Sequence, residues 1–227
     1  MNYIVIGTSR SGHHAIINWL CLQIGNITHL NGCCERDGVF VPENKITPYG
    51  KMPNKNILYS LENFDPVTFN KYKNMKVFKE SSHKIIIVVR DAYNWIASHM
   101  KKWGSENHLY TRLVIWKHQV EECLYRKNIS DITDINFNLW TLSKDYRMSI
   151  SKKLGFLFTD AGFNTIPKFG SGSSFSNFKH DGKAQNLDVL NRHRFFKDDR
   201  LYKSLFFKNT YLTELTTKYF GENYVAL

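Results

Sequence analysis

Residues 3–20, YIVIGTSRSGHHAIINWL, decide how this chain reads. The apolar, β-branched run from Tyr3 to Ile6 predicts a strand. The turn Gly7-Thr8-Ser9-Arg10-Ser11-Gly12 follows it, and an apolar helix opens at His13. A strand, a Gly-bounded turn and a helix N-terminus in succession cradle an anion: backbone N–H groups converge there and the helix dipole adds partial positive charge. The two glycines keep the G-x-x-x-x-G spacing of phosphate loops. His13 and His14 stand where a nucleoside-triphosphate site needs Lys and Ser/Thr, for the β/γ-phosphates and for Mg²⁺. The loop therefore suits an anion other than Mg-ATP, with Thr8, Ser9, Arg10, Ser11, Gly12, His13 and His14 as its candidate binding residues.

The rest of the chain agrees with an anionic ligand. Its 227 residues, 42% hydrophobic and 15% aromatic, suffice for one globular domain covering 1–227. The net charge of +11 favours a nucleotide, an acidic or sulfated sugar, a nucleic acid or a lipid headgroup. The basic residues are spread along the chain, with no basic stripe interleaved with aromatics, which argues against nucleic acid. No apolar run approaches a membrane span. The first strand begins almost at once and leaves no room for a signal peptide. Cys21, Cys33, Cys34 and Cys123 form no C-x-x-C pair. These features together predict a cytoplasmic protein.

Strand–helix alternation predicts an α/β fold of three layers, a mostly parallel sheet with helices on both faces. The expected strands are 2–7, 56–61, 75–79, 84–90 and 134–140. The expected helices are 13–24, 92–103, 109–127, 144–154 and 198–220, with a short one started by Asp65-Pro66. Residues 26–56 read as a long polar loop, and 160–185 as a Gly/Ser-rich one.

Two further constellations suit an anion. Lys84-Ile-Ile-Ile-Val-Val-Arg90 has the unbroken apolar run of a strand buried on both faces. Arg90 would then end at the carboxyl edge, where open α/β sheets bind ligands. Ser98 lies eight residues on; a converging Arg and hydroxyl make a monophosphate site, although a mid-helix Ser also commonly bonds its own helix. Lys168-Phe-Gly-Ser-Gly-Ser-Ser-Phe175 fits a loop that folds over an anion, through Lys168, Gly170, Ser171, Gly172 and Ser173, or else a plain flexible connection.

Together these three segments resemble the sulfotransferases that use 3′-phosphoadenylyl sulfate (PAPS). The resemblance covers residues 3–20, 84–103 and, more loosely, 134–175. It implies a P-loop-type α/β fold that needs no metal. It also implies that the first loop binds the 5′-phosphosulfate, that Arg90 and Ser98 bind the 3′-phosphate, and that the late Gly-containing loop closes over the nucleotide. The R-S-G of the first loop is closer to the carbohydrate sulfotransferases than to small-molecule enzymes, which carry K-S-G-T-T. His13 and His14 depart from the usual Thr or Ser.

The implied activity is metal-independent transfer of a sulfuryl group to a hydroxyl or amine of a small-molecule or carbohydrate acceptor, releasing adenosine 3′,5′-bisphosphate. Arg10 would stabilise the leaving phosphate. The general base falls in Lys79-Glu80-Ser81-Ser82-His83, with Glu80 the first choice and His83 the second; a polar turn is the other reading of that segment. His13, His14, His99 and His108 have no Cys or carboxylate at zinc spacing beside them, so no metal is expected. Two rival functions are a P-loop phosphotransferase, which wants a Lys or Mg-binding hydroxyl after Gly12, and a non-enzymatic polyanion-binding module, which the charge permits.

Overall fold

The computed structural model describes residues 1–36, 39–42, 46–49, 56–72, 82–104, 106–129, 131–167, 174–175 and 184–222. In chain order, β1 (Asn2–Gly7) leads to α1 (His13–Ile24), then to the short strands β2 (Ile27–Leu30), β3 (Cys33–Arg36), β4 (Val39–Pro42) and β5 (Ile46–Tyr49). After β6 (Asn56–Glu62) and a 3₁₀ turn at Pro66–Thr68 come α2 (Phe69–Tyr72), β7 (His83–Val89), α3 (Ala92–Trp103) and α4 (Glu106–Tyr125). β8 (Ile132–Asn136), α5 (Phe137–Leu142) and α6 (Lys144–Leu154) follow. Two 3₁₀ turns, Ala184–Asn186 and Arg192–Phe196, precede α7 (Arg200–Phe207) and α8 (Thr210–Phe220).

The main sheet has six strands in the order β5-β2-β6-β1-β7-β8. Every pairing from β2 to β8 is parallel, and β5 closes one edge antiparallel to β2. β3 and β4 form a separate hairpin ribbon. Strand alternation divides the core into two layers. Ile4, Ile6, Ile85, Ile87 and Val89 pack on one face with residues of α3, α4, α7 and α8. Tyr3, Val5, Ile86 and Val88 pack on the other with α1, α5 and α6. The result is the expected three-layer α/β arrangement. Among the described residues, no helix is long and apolar enough to cross a membrane.

Several expectations change. Residues 26–56 are not one loop, since four short strands lie in them. β2 alternates buried Ile27 and His29 with half-buried neighbours, and Pro48 is tolerated because β5 is an edge strand. The strand expected at 134–140 stops at Asn136. Its Oδ1 accepts from the backbone N–H of Asn138 (3.0 Å) and Leu139 (3.1 Å), which turns the chain into α5. The single helix expected at 198–220 is two, because Asn209 caps a fresh start and accepts from Leu212 N–H. The strand expected at 75–79 lies outside the described residues.

Candidate functional site

The carboxyl ends of β1, β6, β7 and β8 meet along one edge of the sheet, with β1 between its neighbours. A cleft of about 490 Å³ opens there, within the roughly 300–1,000 Å³ of small-molecule sites. Ser9, Arg10, Gly12, His13, Arg90 and Glu62 are among the residues that line it.

The loop between β1 and α1 is held tightly. Ser11 N–H donates to Thr8 O (3.1 Å), Ser9 N–H to Asn63 Oδ1 (2.9 Å), and Trp95 Nε1 to Ser9 O (2.8 Å). Arg10 takes a left-handed backbone at φ 72°, uncommon for a residue with a Cβ. Gly12 has φ 88°, and a Cβ there would lie 2.1 Å from the Phe137 ring, so only glycine fits. Thr8 and Ser11 are fully buried, and among the described residues their hydroxyls have no hydrogen-bond partner. Buried hydroxyls of this kind are costly unless something bonds them; neither residue is among those that line the cleft.

Arg90 leaves the end of β7 and Ser98 comes up from α3, and the two converge as expected. Arg90 NH1 donates to Ser98 Oγ at 3.0 Å and to Arg10 O at 3.2 Å, and its NH2 donates to Val189 O. A third guanidinium, unexpected from the sequence, completes the cluster. Arg192 NH1 donates to the same Ser98 Oγ at 2.9 Å, and the group sits over the Phe175 ring at 4.9 Å. Burial, with a smaller contribution from Arg10, pushes Arg90 down to about 10. Burial, then Arg90 and Arg10, push Arg192 down to about 8. Arg10 is also lowered by burial, partly offset by Glu62. Three cations gathered at one edge repel each other, and an anion set among them reverses that penalty.

The late loop reaches this cluster. Lys168, Gly170, Ser171, Gly172 and Ser173 lie outside the described residues. Their neighbour Ser174, however, accepts a hydrogen bond from Arg10 NH2 at 3.1 Å. One wall of the cleft is aromatic, and Phe137 in it lies beneath the Arg90 guanidinium at 5.4 Å. Phe137 stacks on Trp140 with centroids 5.8 Å apart, and Phe163 meets Trp140 edge-on at 5.1 Å. Arg147 fixes this wall: it lies over Phe163 at 3.6 Å and pairs with Asp160 through two 2.8 Å bonds.

Of the two candidate bases, Glu80 lies outside the described residues, and only the expectation for His83 needs correction. His83 is the first residue of β7 and pairs with Asn2 at the opposite edge of the sheet. A seven-residue strand rising about 3.3 Å per residue puts it roughly 20 Å from the Arg90 end. Among the described residues, the carboxylate that lines the cleft is Glu62, exposed at the carboxyl end of β6. It acts electrostatically on both Arg10 and Arg112, opposing the effect of burial on each. One ligand atom from each of His13, His14 and Glu62 lies within 4.8 Å of the other two. Sequence spacing could not show this, since Glu62 comes from a different strand. The rule that ligands sit at strand carboxyl ends could have pointed to Glu62. No local signal marked Arg192, one of several cations in Arg192-His-Arg194.

No protein-family model and no curated protein matches this chain.

Proposed function

We propose that this protein is a PAPS-dependent sulfotransferase of the P-loop type, with the cleft at the sheet's carboxyl edge as its nucleotide and acceptor site. The observation that carries the reading is the convergence of Arg90 and Arg192 on Ser98 Oγ beside the loop that bears Arg10. A ligand with two separate phosphate-like groups suits it. The backbone N–H groups of the β1–α1 loop that are not engaged within the protein cradle the 5′-phosphosulfate. Arg90, Arg192 and Ser98 take the 3′-phosphate through charge-assisted hydrogen bonds. The Phe137, Trp140 and Phe163 wall offers an aromatic surface for the adenine.

In transfer, the acceptor oxygen bonds to sulfur as the bond from sulfur to the phosphate oxygen breaks. Glu62 accepts the acceptor's proton, in the role first expected of Glu80 or His83. Arg10 stabilises the charge that grows on the leaving phosphate oxygen. None of these roles requires a metal. Trp103 and Lys102 also line the cleft and would face the acceptor.

The test is calorimetry with adenosine 3′,5′-bisphosphate in EDTA, compared with adenosine 5′-monophosphate and with Mg-ATP. The bisphosphate should bind at least tenfold tighter than the monophosphate, because the monophosphate lacks the group read by Arg90 and Arg192. Equal affinities, or preference for Mg-ATP, would refute the reading. Transfer of labelled sulfate from PAPS to an acceptor panel of sugars and phenols then tests the reaction itself.

A further inference from the structure

We propose that His13, His14 and Glu62 form a binding site for a borderline divalent transition ion, of the Zn²⁺ or Co²⁺ class, in the wall of the same cleft. The three residues come from two elements, the start of α1 and the end of β6. Their ligand atoms lie within 4.8 Å of one another, and all three residues line the cleft.

The hydrogen bonding of the two rings favours the metal-binding form. His13 Nε2 lies 3.0 Å from Val5 O. A carbonyl can only accept, so Nε2 carries the proton and Nδ1 keeps its lone pair. That Nδ1 is buried and, among the described residues, has no hydrogen-bond partner, in a side chain only 2% exposed. His14 Nε2 lies 3.2 Å from Asn31 Oδ1. A ring that donates one N–H to an oxygen and keeps its other nitrogen for the ion is the arrangement found in most His–metal sites. Two imidazoles and a carboxylate suit Zn²⁺ or Co²⁺ and not Mg²⁺, which prefers oxygen ligands. Bonds of about 2.0–2.2 Å ask for ligand atoms roughly 3.4 Å apart. Glu62, exposed at its strand end, is the ligand with room to swing in. A fourth position would face the cleft and take water or an oxygen of a bound anion.

The site stands independently of the sulfotransferase reading. If Glu62 is also the base, a bound ion takes up its lone pair and inhibits turnover; that consequence alone rests on the proposed function.

The experiment is titration of the EDTA-stripped full chain with Co²⁺, followed by visible absorption, with Zn²⁺ as competitor in calorimetry. Intense bands of four- or five-coordinate cobalt, displaced by one equivalent of Zn²⁺, are expected. Asn31→Ala should weaken binding by roughly 10- to 100-fold, the usual effect of losing an outer partner. Glu62→Gln and His14→Gln should each weaken it more. His83→Ala, at the far edge, should change nothing. His13 is buried and its variants need not fold, so it is left intact. Weak six-coordinate bands, a thiolate charge-transfer band, or Co²⁺ affinity unchanged in Glu62→Gln and His14→Gln would each overturn the site. Such a failure leaves bisphosphate binding in EDTA untouched, so the two readings fail separately.

Discussion

Replacing Arg192 with Met separates an anion site from a structural ion network, because the two predict opposite signs. Arg192 is 6% exposed, donates to Ser98 Oγ at 2.9 Å, and lies over Phe175. Methionine keeps an apolar stem against that ring and removes the charge. Without ligand, the guanidinium is held down to about 8 by burial, Arg90 and Arg10, so its charged form is a net liability to the fold. Losing its charge-assisted hydrogen bond to Ser98 costs about 1.5–3 kcal/mol, and relief of burial and repulsion offsets this. Ligand-free stability should therefore fall by less than that amount, or rise. Binding should move the other way. One charge-assisted hydrogen bond contributes about 1.5–3 kcal/mol, so affinity for adenosine 3′,5′-bisphosphate should drop roughly 10- to 150-fold. Adenosine 5′-monophosphate, without the 3′-group, should lose far less. Urea unfolding and calorimetry on the same preparations measure both quantities. A large loss of ligand-free stability with unchanged bisphosphate affinity would refute the reasoning, since Arg192 would then be a structural cation.

Three other perturbations follow from the same geometry. Glu62→Gln should lower kcat by roughly 100- to 10,000-fold while leaving the bisphosphate Kd nearly unchanged, whereas His83→Ala should alter neither; steady-state sulfate transfer reads this. Gly12→Ala forces a Cβ 2.1 Å from the Phe137 ring at φ 88°, and should lower Tm by on the order of 10 °C by scanning calorimetry, from left-handed strain plus overpacking. His29, fully buried in β2, is held down to about 3 by burial and by His14. The unfolded chain, with a His near 6.5, binds more protons between those values, so this contribution is present above about 6.5 and is lost as pH falls toward 3. From pH 7 to 5 it amounts to about 2 kcal/mol. His29→Leu should reduce the loss of stability over that interval by this amount, measured by urea midpoints.

What the sequence determined by itself is local and periodic. The run Tyr3–Ile6, the Gly-bounded turn and the apolar opening of α1 specified β1, the loop and the helix. The unbroken Ile/Val run specified β7 and placed Arg90 at its end. Asp91 and Gly104 bounded α3 at the expected residues, because caps act on backbone groups within a turn of themselves. Asn136 and Asn209 are caps of the same kind, readable only once one knows that a strand or helix ends there. The short strands β2 to β5 have little local signal, since sheet pairing supplies their stability from residues far along the chain.

The site was legible only in the parts that one segment carries whole. The loop 8–12 is such a part, and the Arg90–Ser98 pair nearly so, because a strand end and the next helix lie close together in any such unit. Arg192 reaches Ser98 across a sequence separation of 94 residues. Glu62 reaches His13 and His14 because β6 pairs beside β1. His83 is seven residues from Arg90 in sequence, yet it stands a strand's length from it. Charge convergence depends on distance through space, and only sheet order and crossover connections set that distance. The composition suggested an anionic ligand; the tertiary structure decided which cations and which carboxylate stand together at the sheet's carboxyl edge.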